Sequence, residues 1–470
     1  MSSNQNSNKF INKEFLQHLL GHPIASFTCG IGTKPGDNYL STIYSVKVVL
    51  SDEDSKNDNS CSLSKSILIK CYPENVAKQE FLDNTSMFST EFLIYDQFLP
   101  SLNQLLSSEK SKFGVNVAEF YGGNIIGSNA KTTLSNPTEP WNSENFLVLE
   151  DLRSKGYKML DRRKGLDLEH SLLTIKQLAN LHALSWVHKQ RNGLKFLLEK
   201  YPYMKDVMYK KENEEGWRPV LESFNRNALE VIGQEFGTDS DIFLKLEALF
   251  SKNVMAILRM FLSGKGIDER EAESLLRIKP NEPIPHAEDQ WLVATHGDCW
   301  INNLLFSYDD ETTKPKSVVI VDHQTFREAC LTTDLAFFIY SSIQTPLRKQ
   351  SIQTLLRTYF DQFVEICEKL GEKPPAGFTY PNFERRWRRV RVFALLRSMD
   401  FITFLHKPDE PESEDSQCDK ETNEIMNDNE ENSGDIQDAY ASVLKGVQNN
   451  PEWRNAIIET VKVEYDDGIL

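Results

Sequence analysis

The stretch from residue 291 to residue 322 constrains the fold of this chain more than any other part of the sequence. An apolar run, Trp291–Ala294, precedes the tripeptide His296–Asp298, and Asn303 follows five residues after that tripeptide's aspartate. A polar segment then leads to a second apolar run, Ser317–Val321, which is followed directly by Asp322. Short apolar and β-branched runs bounded by polar residues predict strands. We therefore expect two strands that bring two carboxylates and one amide together at their ends.

These three polar side chains are of the types that phosphoryl transfer requires. Asp298 suits the carboxylate that orients an attacking hydroxyl and accepts its proton. Asn303 and Asp322 suit the hard oxygen ligands that Mg²⁺ prefers. The alternative is that all three are turn formers, because Asp and Asn favour turns. Three turn residues in this order and spacing would be an unusual coincidence, so the catalytic interpretation is favoured.

The same residues carry a resemblance to known kinases. The spacing from Asp298 to Asn303 resembles the catalytic loop of the protein-kinase-like superfold, and Gly297 stands where protein kinases have arginine, as in the aminoglycoside and choline phosphotransferase branch. The longer string HGDCWINNLLF, with Trp300 inside the loop, resembles the ecdysteroid kinase-like family. VDHQ is similar to that family's Asp-Phe-Gln element but departs from it at His323.

The resemblance implies an α+β, protein-kinase-like fold with a small β-rich N-terminal lobe and a large helical C-terminal lobe. The chain has 470 residues, and single cores stop growing at about 250–300 residues, so more than one domain is expected. Strand patterns dominate residues 1–150, and helical patterns dominate residues 151–470. We expect the first region to bind the nucleotide and the second to hold the catalytic and substrate-binding residues.

The element predictions follow from apolar periodicity. In the first region the pattern predicts four strands and one helix, namely the strands Tyr39–Leu50, Ser66–Tyr72, Val115–Tyr121 and Asn145–Leu149 and the helix Met87–Leu99. The first two strands form a plausible hairpin. In the second region it predicts four long helices, Ser171–His188, Asp239–Leu262, Gln350–Leu370 and Phe383–Leu405. The last contains the run FERRWRRVRVF, which we interpret as a solvated amphipathic helix rather than a phosphate- or membrane-binding segment.

Lys70, within an apolar predicted strand, is a candidate ligand of the nucleotide phosphates. A buried charge is costly unless it is paired, and Glu91, 21 residues later in the predicted helix, is a suitable partner. The string that contains Phe88, Glu91 and Tyr95 also resembles the family's helix, and such a lysine–glutamate pair positions the α- and β-phosphates in kinases of this type. The alternative is an exposed lysine on an edge strand.

Two further nucleotide-binding elements are implied by the resemblance. GDNYLS resembles the family's Gly-Asp-Asn-Tyr element and makes Gly36 and Asn38 candidates, because glycine lets the backbone approach phosphate closely; a plain β-turn is the alternative. NFLVLEDL resembles the strand and hinge that join the lobes. By that analogy the carbonyl of Glu150 and the N–H of Leu152 would recognise adenine.

Three residues are predicted to support the catalytic loop. LANLHALSW resembles the helix behind that loop, so we interpret His182 as a buried, hydrogen-bonded structural histidine rather than a catalytic base. Asp334, in TTDLAFF, is predicted to anchor the loop's backbone through hydrogen bonds. His296 is predicted to orient the loop beside the catalytic Asp298.

Composition and charge narrow the class of protein. The net charge is −16, and residues 409–436 contain twelve acidic residues and one basic residue, so the remainder carries only about −5. A mildly acidic remainder disfavours a nucleic-acid binder. The acidic segment lacks aromatic residues and is predicted to be a disordered insertion. No uncharged apolar run reaches the roughly 20 residues needed to span a bilayer.

Cysteine usage indicates the compartment. The chain has seven cysteines, an odd number, and no CxxC pair. This pattern favours reduced thiols over a disulfide framework or a zinc site. We therefore expect a cytoplasmic protein without a signal peptide.

The resemblance implies ATP and Mg²⁺ as cofactors and a small apolar alcohol, an ecdysteroid or a related steroid or xenobiotic, as the acceptor. One alternative is a choline- or aminoglycoside-type kinase, whose cationic acceptor would need acidic residues or an aromatic cage near Asp298. Another is a catalytically inactive ligand-binding pseudokinase. A protein kinase is disfavoured because His-Arg-Asp, Asp-Phe-Gly and Ala-Pro-Glu elements are absent.

Overall fold

A computed structural model describes residues 10–33, 40–51, 64–106, 113–126, 140–263, 291–407 and 443–470. The chain divides into two compact units. One, here called the sheet unit, comprises Met1–Pro100 and Asn116–Lys158, and the other, the helical unit, comprises Ser101–Val115 and Met159–Leu470. The predicted α+β class is confirmed, since antiparallel strands dominate one unit and helices the other. Gly36, Asn38 and the acidic segment 409–436 lie outside the described residues.

The sheet unit contains a five-stranded antiparallel sheet in the order β1-β2-β3-β5-β4. Its strands are β1 (Ile24–Ile31), β2 (Thr42–Leu50), β3 (Ser64–Cys71), β4 (Phe120–Asn124) and β5 (Phe146–Glu150). The hairpin predicted for Tyr39–Leu50 and Ser66–Tyr72 is confirmed: it is the antiparallel pair β2 and β3, with Tyr44 opposite Ile69 and Val46 opposite Ile67. Strand β1 was not predicted, because it is mostly exposed along its length and lacks an apolar alternation.

The predicted strand Val115–Tyr121 is wrong in its position, since β4 begins at Phe120. Glycines are poor strand formers, so Gly122 and Gly123 hid the real strand from the pattern. Gly123 is required by the packing: a Cβ there would lie 2.4 Å from the carbonyl oxygen of Phe146 on β5. The close approach of the two backbones selects glycine.

Four helices belong to the first part of the chain, α1 (Lys13–Leu20), α2 (Val76–Thr85), α3 (Met87–Leu93) and α4 (Leu99–Asn103). α1 starts at Asn12, whose side chain accepts a hydrogen bond from the Phe15 N–H at 2.9 Å. Phe15 is fully buried, with its ring 5.5 Å from that of Trp141 and 5.4 Å from that of Phe146. The helix therefore covers one face of the sheet. The predicted helix Met87–Leu99 is present as α3 followed by a π-helical turn.

The helical unit contains eight longer helices and two small antiparallel sheets among its described residues. The helices are α5 (Leu168–Arg191), α6 (Glu214–Phe236), α7 (Asp241–Phe250), α8 (Val254–Leu262), α9 (Leu331–Ser342), α10 (Thr345–Lys369), α11 (Tyr380–Leu405) and α12 (Pro451–Asp466). The strands are β6 (Leu292–Thr295) paired with β9 (Arg327–Cys330), and β7 (Leu304–Tyr308) paired with β8 (Pro315–Ile320). α5 packs against α10, β6 and β8, and so lies at the centre of the unit.

The predicted single helix Asp239–Leu262 is wrong, because it is divided into α7 and α8. The Asn253 side chain accepts a hydrogen bond from the Ala256 N–H at 2.9 Å and starts the second helix. Asparagine competes with the backbone in this way and favours helix starts over helix interiors. The apolar periodicity continues across the break, which is why the pattern did not reveal it. None of the helices in the described ranges is long and apolar enough to cross a membrane.

Candidate active site

The loop predicted to be catalytic, residues 296–303, begins where β6 ends, and a buried aspartate holds its backbone. Asp334, in the first turn of α9, accepts hydrogen bonds from the N–H groups of His296 and Gly297, both at 2.8 Å. His182 of α5 lies 3.1 Å from the same carboxylate through Nε2 and 2.6 Å from the Tyr359 hydroxyl through Nδ1. All of these groups but the Gly297 amide are buried. The predicted structural roles of His182 and Asp334 are confirmed.

The charge of Asp334 is stabilised by its partners. Burial alone would raise the pKa of this carboxyl, but the hydrogen bond from His182 and the hydrogen bond from the Gly297 amide hold the pKa below its usual value. A carboxylate that accepts several hydrogen bonds in the interior is favoured in its ionised form. Asp334 is therefore a fixed, charged anchor for the loop.

His296 links the catalytic loop to the segment that carries Asp322. Its Nε2 lies 3.0 Å from the Val321 carbonyl oxygen, and its Nδ1 lies 3.3 Å from the Asp298 amide nitrogen. One neutral tautomer satisfies both contacts, with Nε2–H donating and Nδ1 accepting. Burial lowers the pKa of His296 and so favours this neutral form. The orienting role of His296 in catalysis stays a prediction.

Gly297 is required by the path of the loop. Its φ of +80° lies in the left-handed region, which L side chains rarely adopt. A Cβ at this position would lie 2.6 Å from the Thr325 carbonyl oxygen and 2.8 Å from Nη1 of Arg327. Thr325 also donates its hydroxyl to the His296 carbonyl at 2.8 Å. The loop and the segment after Asp322 thus approach each other closely at this glycine.

Asn303 contacts Asp298 through its side chain and the segment before Asp322 through its backbone. Its Nδ2 donates to the Asp298 carbonyl at 2.9 Å and to the Asp298 Oδ2 at 3.1 Å. The backbone carbonyl of Asn303 accepts a hydrogen bond from the Val321 N–H at 3.0 Å. The side-chain nitrogen of Asn303 therefore faces Asp298, and its side-chain oxygen is the atom suited to a cation.

Asp322 adopts an unusual backbone conformation, with φ 66° and ψ 64°. Left-handed conformations of non-glycine residues cost about 1–3 kcal/mol and cluster at functional sites. Gln324 donates its side-chain amide to the Asp322 Oδ2 at 3.1 Å. Asp322 lies two residues after the end of β8, near the strand end predicted for it.

The Asp298 carboxyl is half-buried and lies close to several charged groups. Burial is the main cause that raises its pKa to about 7, and the charge of Asp322 raises it further. The charges of Arg397 and Arg327 and the hydrogen bond from Asn303 act in the opposite direction. A carboxyl with a pKa near neutrality suits a group that must accept and release a proton.

The donor set fits Mg²⁺ bound together with nucleotide phosphates. No group of three or more His, Cys, Asp or Glu side chains in the described ranges could hold a metal by itself. Mg²⁺ is usually held by one or two protein carboxylates, substrate phosphates and water rather than by a complete protein cage. Asn303 and Asp322 supply one amide oxygen and one carboxylate, which match the protein share of such a site.

In the sheet unit the predicted ion pair is present. The Nζ of Lys70 lies 2.6 Å from the Glu91 Oε2, and the two residues are 8% and 1% exposed. β3 is the middle strand of five, so the alternative of an exposed lysine on an edge strand is wrong. The pairing is confirmed, while the contact of Lys70 with phosphate stays a prediction.

The segment after β5 is fixed by a residue that sequence reasoning missed. Arg153 makes a two-point ion pair with Asp151, both contacts at 2.8 Å, and its Nη1 donates to the Gly32 carbonyl at 2.7 Å. Asp151 also starts the short helical turn that contains Leu152. The adenine-binding roles of Glu150 and Leu152 stay predictions.

Two arginines near Asp298 were also missed. Arg397, in α11, pairs with Asp400 at 2.5 Å, and Arg327 is the first residue of β9. The interpretation of the arginine run as a solvated face is wrong in part, since Arg386 is 9% exposed and lies 3.9 Å over the Trp291 ring. The one sequence signal for which arginines of α11 point inward is the spacing of the apolar residues along this helix.

His323 occupies a packed aromatic position. It is 1% exposed, and its ring centre lies 5.3 Å from that of His296 and 5.0 Å from that of Phe326, both edge-on. The departure from Asp-Phe-Gln therefore exchanges one buried ring for another. Asp322 keeps its place two residues after β8.

Most of this chain is similar to one known family of proteins. The model of the ecdysteroid kinase-like family matches residues 35–372. No curated protein matches the sequence. Among solved structures, an ethanolamine kinase from Plasmodium vivax is 11% identical, with 96% of this chain and 91% of that chain covered and a TM-score of 0.38. A likeness at that level carries no argument about this chain.

Proposed function

Because the chain belongs to the ecdysteroid kinase-like family, and is therefore a small-molecule phosphotransferase, we propose that it transfers the γ-phosphoryl group of ATP to a hydroxyl of an apolar alcohol. The acceptor is an ecdysteroid or a related steroid or xenobiotic alcohol. The reaction uses Mg²⁺ and takes place in the cytoplasm.

One observation carries the proposal: Asp298 is held in a loop that Asp334 and His296 fix through its backbone, and Asn303 bridges it to the strand that ends before Asp322. Such preorganised positioning supplies most of the catalysis in phosphoryl transfer. Turn formers alone would not need a buried carboxylate to fix their amides. The arrangement therefore supports an active kinase over an inactive binding protein.

Each side chain has a role in the proposed reaction. Asp298 orients the acceptor hydroxyl and takes its proton, and His296 holds Asp298 in place. Asn303 and Asp322 hold Mg²⁺, which neutralises phosphate charge. Lys70, fixed by Glu91, positions the α- and β-phosphates.

The nucleotide sites proposed from the resemblance complete the set. Gly36 and Asn38 cover the phosphates, and the backbone of Glu150 and Leu152 recognises adenine. Residues 1–150 act as the nucleotide-binding lobe and residues 151–470 as the catalytic and substrate-binding lobe.

The charge around Asp298 disfavours a cationic acceptor. Two guanidinium groups, those of Arg327 and Arg397, act on Asp298 electrostatically. The carboxylate of Asp400 is already paired with Arg397, whose guanidinium also lies 5.3 Å from the ring centre of Phe337. A choline- or aminoglycoside-type acceptor would need free acids or open aromatic faces there. An uncharged alcohol meets no such repulsion.

The test is transfer of labelled γ-phosphate from Mg·ATP to a panel of ecdysteroids, other sterols, plant phenolics, choline and aminoglycosides. Asp298→Asn serves as the inactive control. Transfer to a steroid that disappears in the variant supports the proposal. Transfer to choline or an aminoglycoside alone would overturn the acceptor class. A near-normal rate with Asp298→Asn would overturn the assignment of the base.

A further inference from the structure

The guanidinium group of Arg327 is buried, and no carboxylate of the described residues contacts it. It is 6% exposed, its Nε has no hydrogen-bond partner, and no carboxylate of the described residues forms an ion pair with it. Among the described residues, its one hydrogen bond is a long contact of 3.4 Å from Nη1 to the Thr325 carbonyl, and its Cζ lies 5.9 Å from the centre of the Tyr209 ring. A buried charge without a carboxylate partner is expensive. Its presence at this position therefore calls for a reason other than stability.

Other buried cations among the described residues make closer contacts with a carboxylate or an aromatic ring. Lys70 and Lys189 each form an ion pair with a glutamate, at 2.6 Å and 2.7 Å. The guanidinium groups of Arg348 and Arg386 lie 4.0 Å and 3.9 Å over aromatic rings. Arg327 is as deeply buried as these residues, but its contact with the Tyr209 ring is longer, at 5.9 Å.

The position of Arg327 is against the catalytic loop. Its Nη1 lies 2.8 Å from the point that a Gly297 Cβ would occupy, and its Cζ lies 3.0 Å from that point. The missing side chain of Gly297 therefore makes room for the guanidinium. Its charge acts on both His296 and Asp298. The register of β6 and β9, with Thr295 opposite Arg327, fixes this placement.

The catalytic loop itself has no cation to offer. The four residues between Asp298 and Asn303 are Cys299, Trp300, Ile301 and Asn302. A transferring phosphoryl group carries negative charge on its equatorial oxygens, and enzymes stabilise it with fixed cations such as arginine. Among the described residues of the helical unit, Arg327 is the cation that lies against this loop without forming an ion pair with a carboxylate.

Building on the proposed function, we propose that Arg327 stabilises the negative charge of the phosphoryl group during its transfer at Asp298. Whatever the acceptor, the phosphoryl group is the anion that must reach this carboxylate. The acceptor oxygen forms a bond to the γ-phosphorus as the bond from that phosphorus to the β,γ-bridging oxygen breaks. The hydroxyl proton passes to Asp298, and ADP leaves with the electron pair of the broken bond. Arg327 interacts most strongly with the charge-rich species between these two states.

The test compares binding of a transition-state mimic with binding of ATP, and so needs no knowledge of the acceptor. The probes are Mg·ADP with fluoroaluminate, in which water takes the place of the acceptor hydroxyl, and Mg·ATP. Removing one group that stabilises transition-state charge costs about 10²–10³-fold. We expect Arg327→Met to weaken the fluoroaluminate complex by about that factor while the Kd for Mg·ATP changes less than about 3-fold. Arg327→Lys, which keeps the charge, recovers part of the loss.

The matched control is Arg348→Met. Arg348 is also a buried arginine, 5% exposed, but it lies 4.0 Å over the Tyr340 ring and is not among the groups that act on Asp298. Its replacement tests the cost of removing a buried guanidinium as such. We expect both probes to bind Arg348→Met as they bind the original protein.

The outcomes separate this inference from the proposed function. Equal trapping by the original protein and by Arg327→Met would overturn the inference and leave the kinase assignment standing. Parallel loss of ATP binding, trapping and thermal stability would assign Arg327 a structural role and also overturn it. A change in acceptor KM with trapping intact would make it an acceptor-binding residue instead. If the original protein forms no trapped complex and transfers no phosphate, the proposed function itself fails.

Discussion

The two units hold their proposed functional side chains in opposite ways. In the sheet unit Lys70 is held through its side chain, by an ion pair with Glu91. In the helical unit Asp298 is held through its backbone, by contacts that trace back to His296 and Asp334. Both partners of an ion pair can be replaced together by apolar side chains. No such paired replacement exists for a network of hydrogen bonds to backbone groups. The comparison predicts that the two sites respond differently to the same kind of substitution.

The largest effect is expected at the anchor of the network. Asp334→Ala removes the acceptor of two loop amides and of His182, and of these three donors only the Gly297 amide is not buried. Breaking a buried charged network by removing one partner costs about 3–5 kcal/mol. We expect a loss of at least that size in the free energy of unfolding, measured by urea denaturation, with loss of transfer activity. Asp334→Asn, which keeps one acceptor oxygen, should lose less; equal stability of Asp334→Ala and the original protein would refute the anchor role.

The ion pair of the sheet unit gives the contrasting result. Lys70→Met leaves Glu91 charged and buried, at a cost of about 3 kcal/mol in unfolding free energy. Replacing both partners with apolar residues of similar shape can be nearly neutral. The double variant Lys70→Met with Glu91→Leu should therefore recover most of the stability but none of the transfer activity. Recovery of activity in the double variant would show that Lys70 does not contact phosphate.

A smaller effect is expected at the loop glycine. Gly297→Ala combines a φ of +80° with a Cβ that would lie 2.6 Å from the Thr325 carbonyl. Strain of this kind costs about 1–3 kcal/mol. Gly193→Ala is the matched control, because its φ is +61° but nothing lies within 4 Å of the added Cβ. The difference between the two variants in chemical denaturation isolates the close approach, and no difference would mean that the loop can relax around it.

The smallest effect is expected at His323. His323→Phe restores the residue type of the Asp-Phe-Gln element in a site already lined by the rings of His296 and Phe326. Ring-for-ring exchanges of similar volume usually cost less than about 1.5 kcal/mol. We expect a near-unchanged melting temperature and transfer rate. A large loss of activity with unchanged stability would instead assign His323 a chemical role.

Much of the candidate site could be read from local patterns. Short stretches of sequence predict the strand ends near Asp298 and Asp322 and the five-residue step from Asp298 to Asn303. They also predict the pairing of Lys70 with Glu91. Where prediction failed, the signal was weak or misleading. β4 is built on two glycines, and the break between α7 and α8 lies inside an unbroken apolar period.

The sequence by itself determined the chemical groups and the order in which they occur, because residue type and near spacing set strand ends, loop length and charge. Only the tertiary structure decided which distant groups meet. Asp334 lies 152 residues from His182, and Arg327 reaches Gly297 because β9 pairs with β6. Such contacts depend on how strands pair and helices pack, and these long-range choices leave little trace in any local period of the chain. The cation beside the catalytic loop therefore emerges from the fold, whereas the loop itself is evident in the sequence.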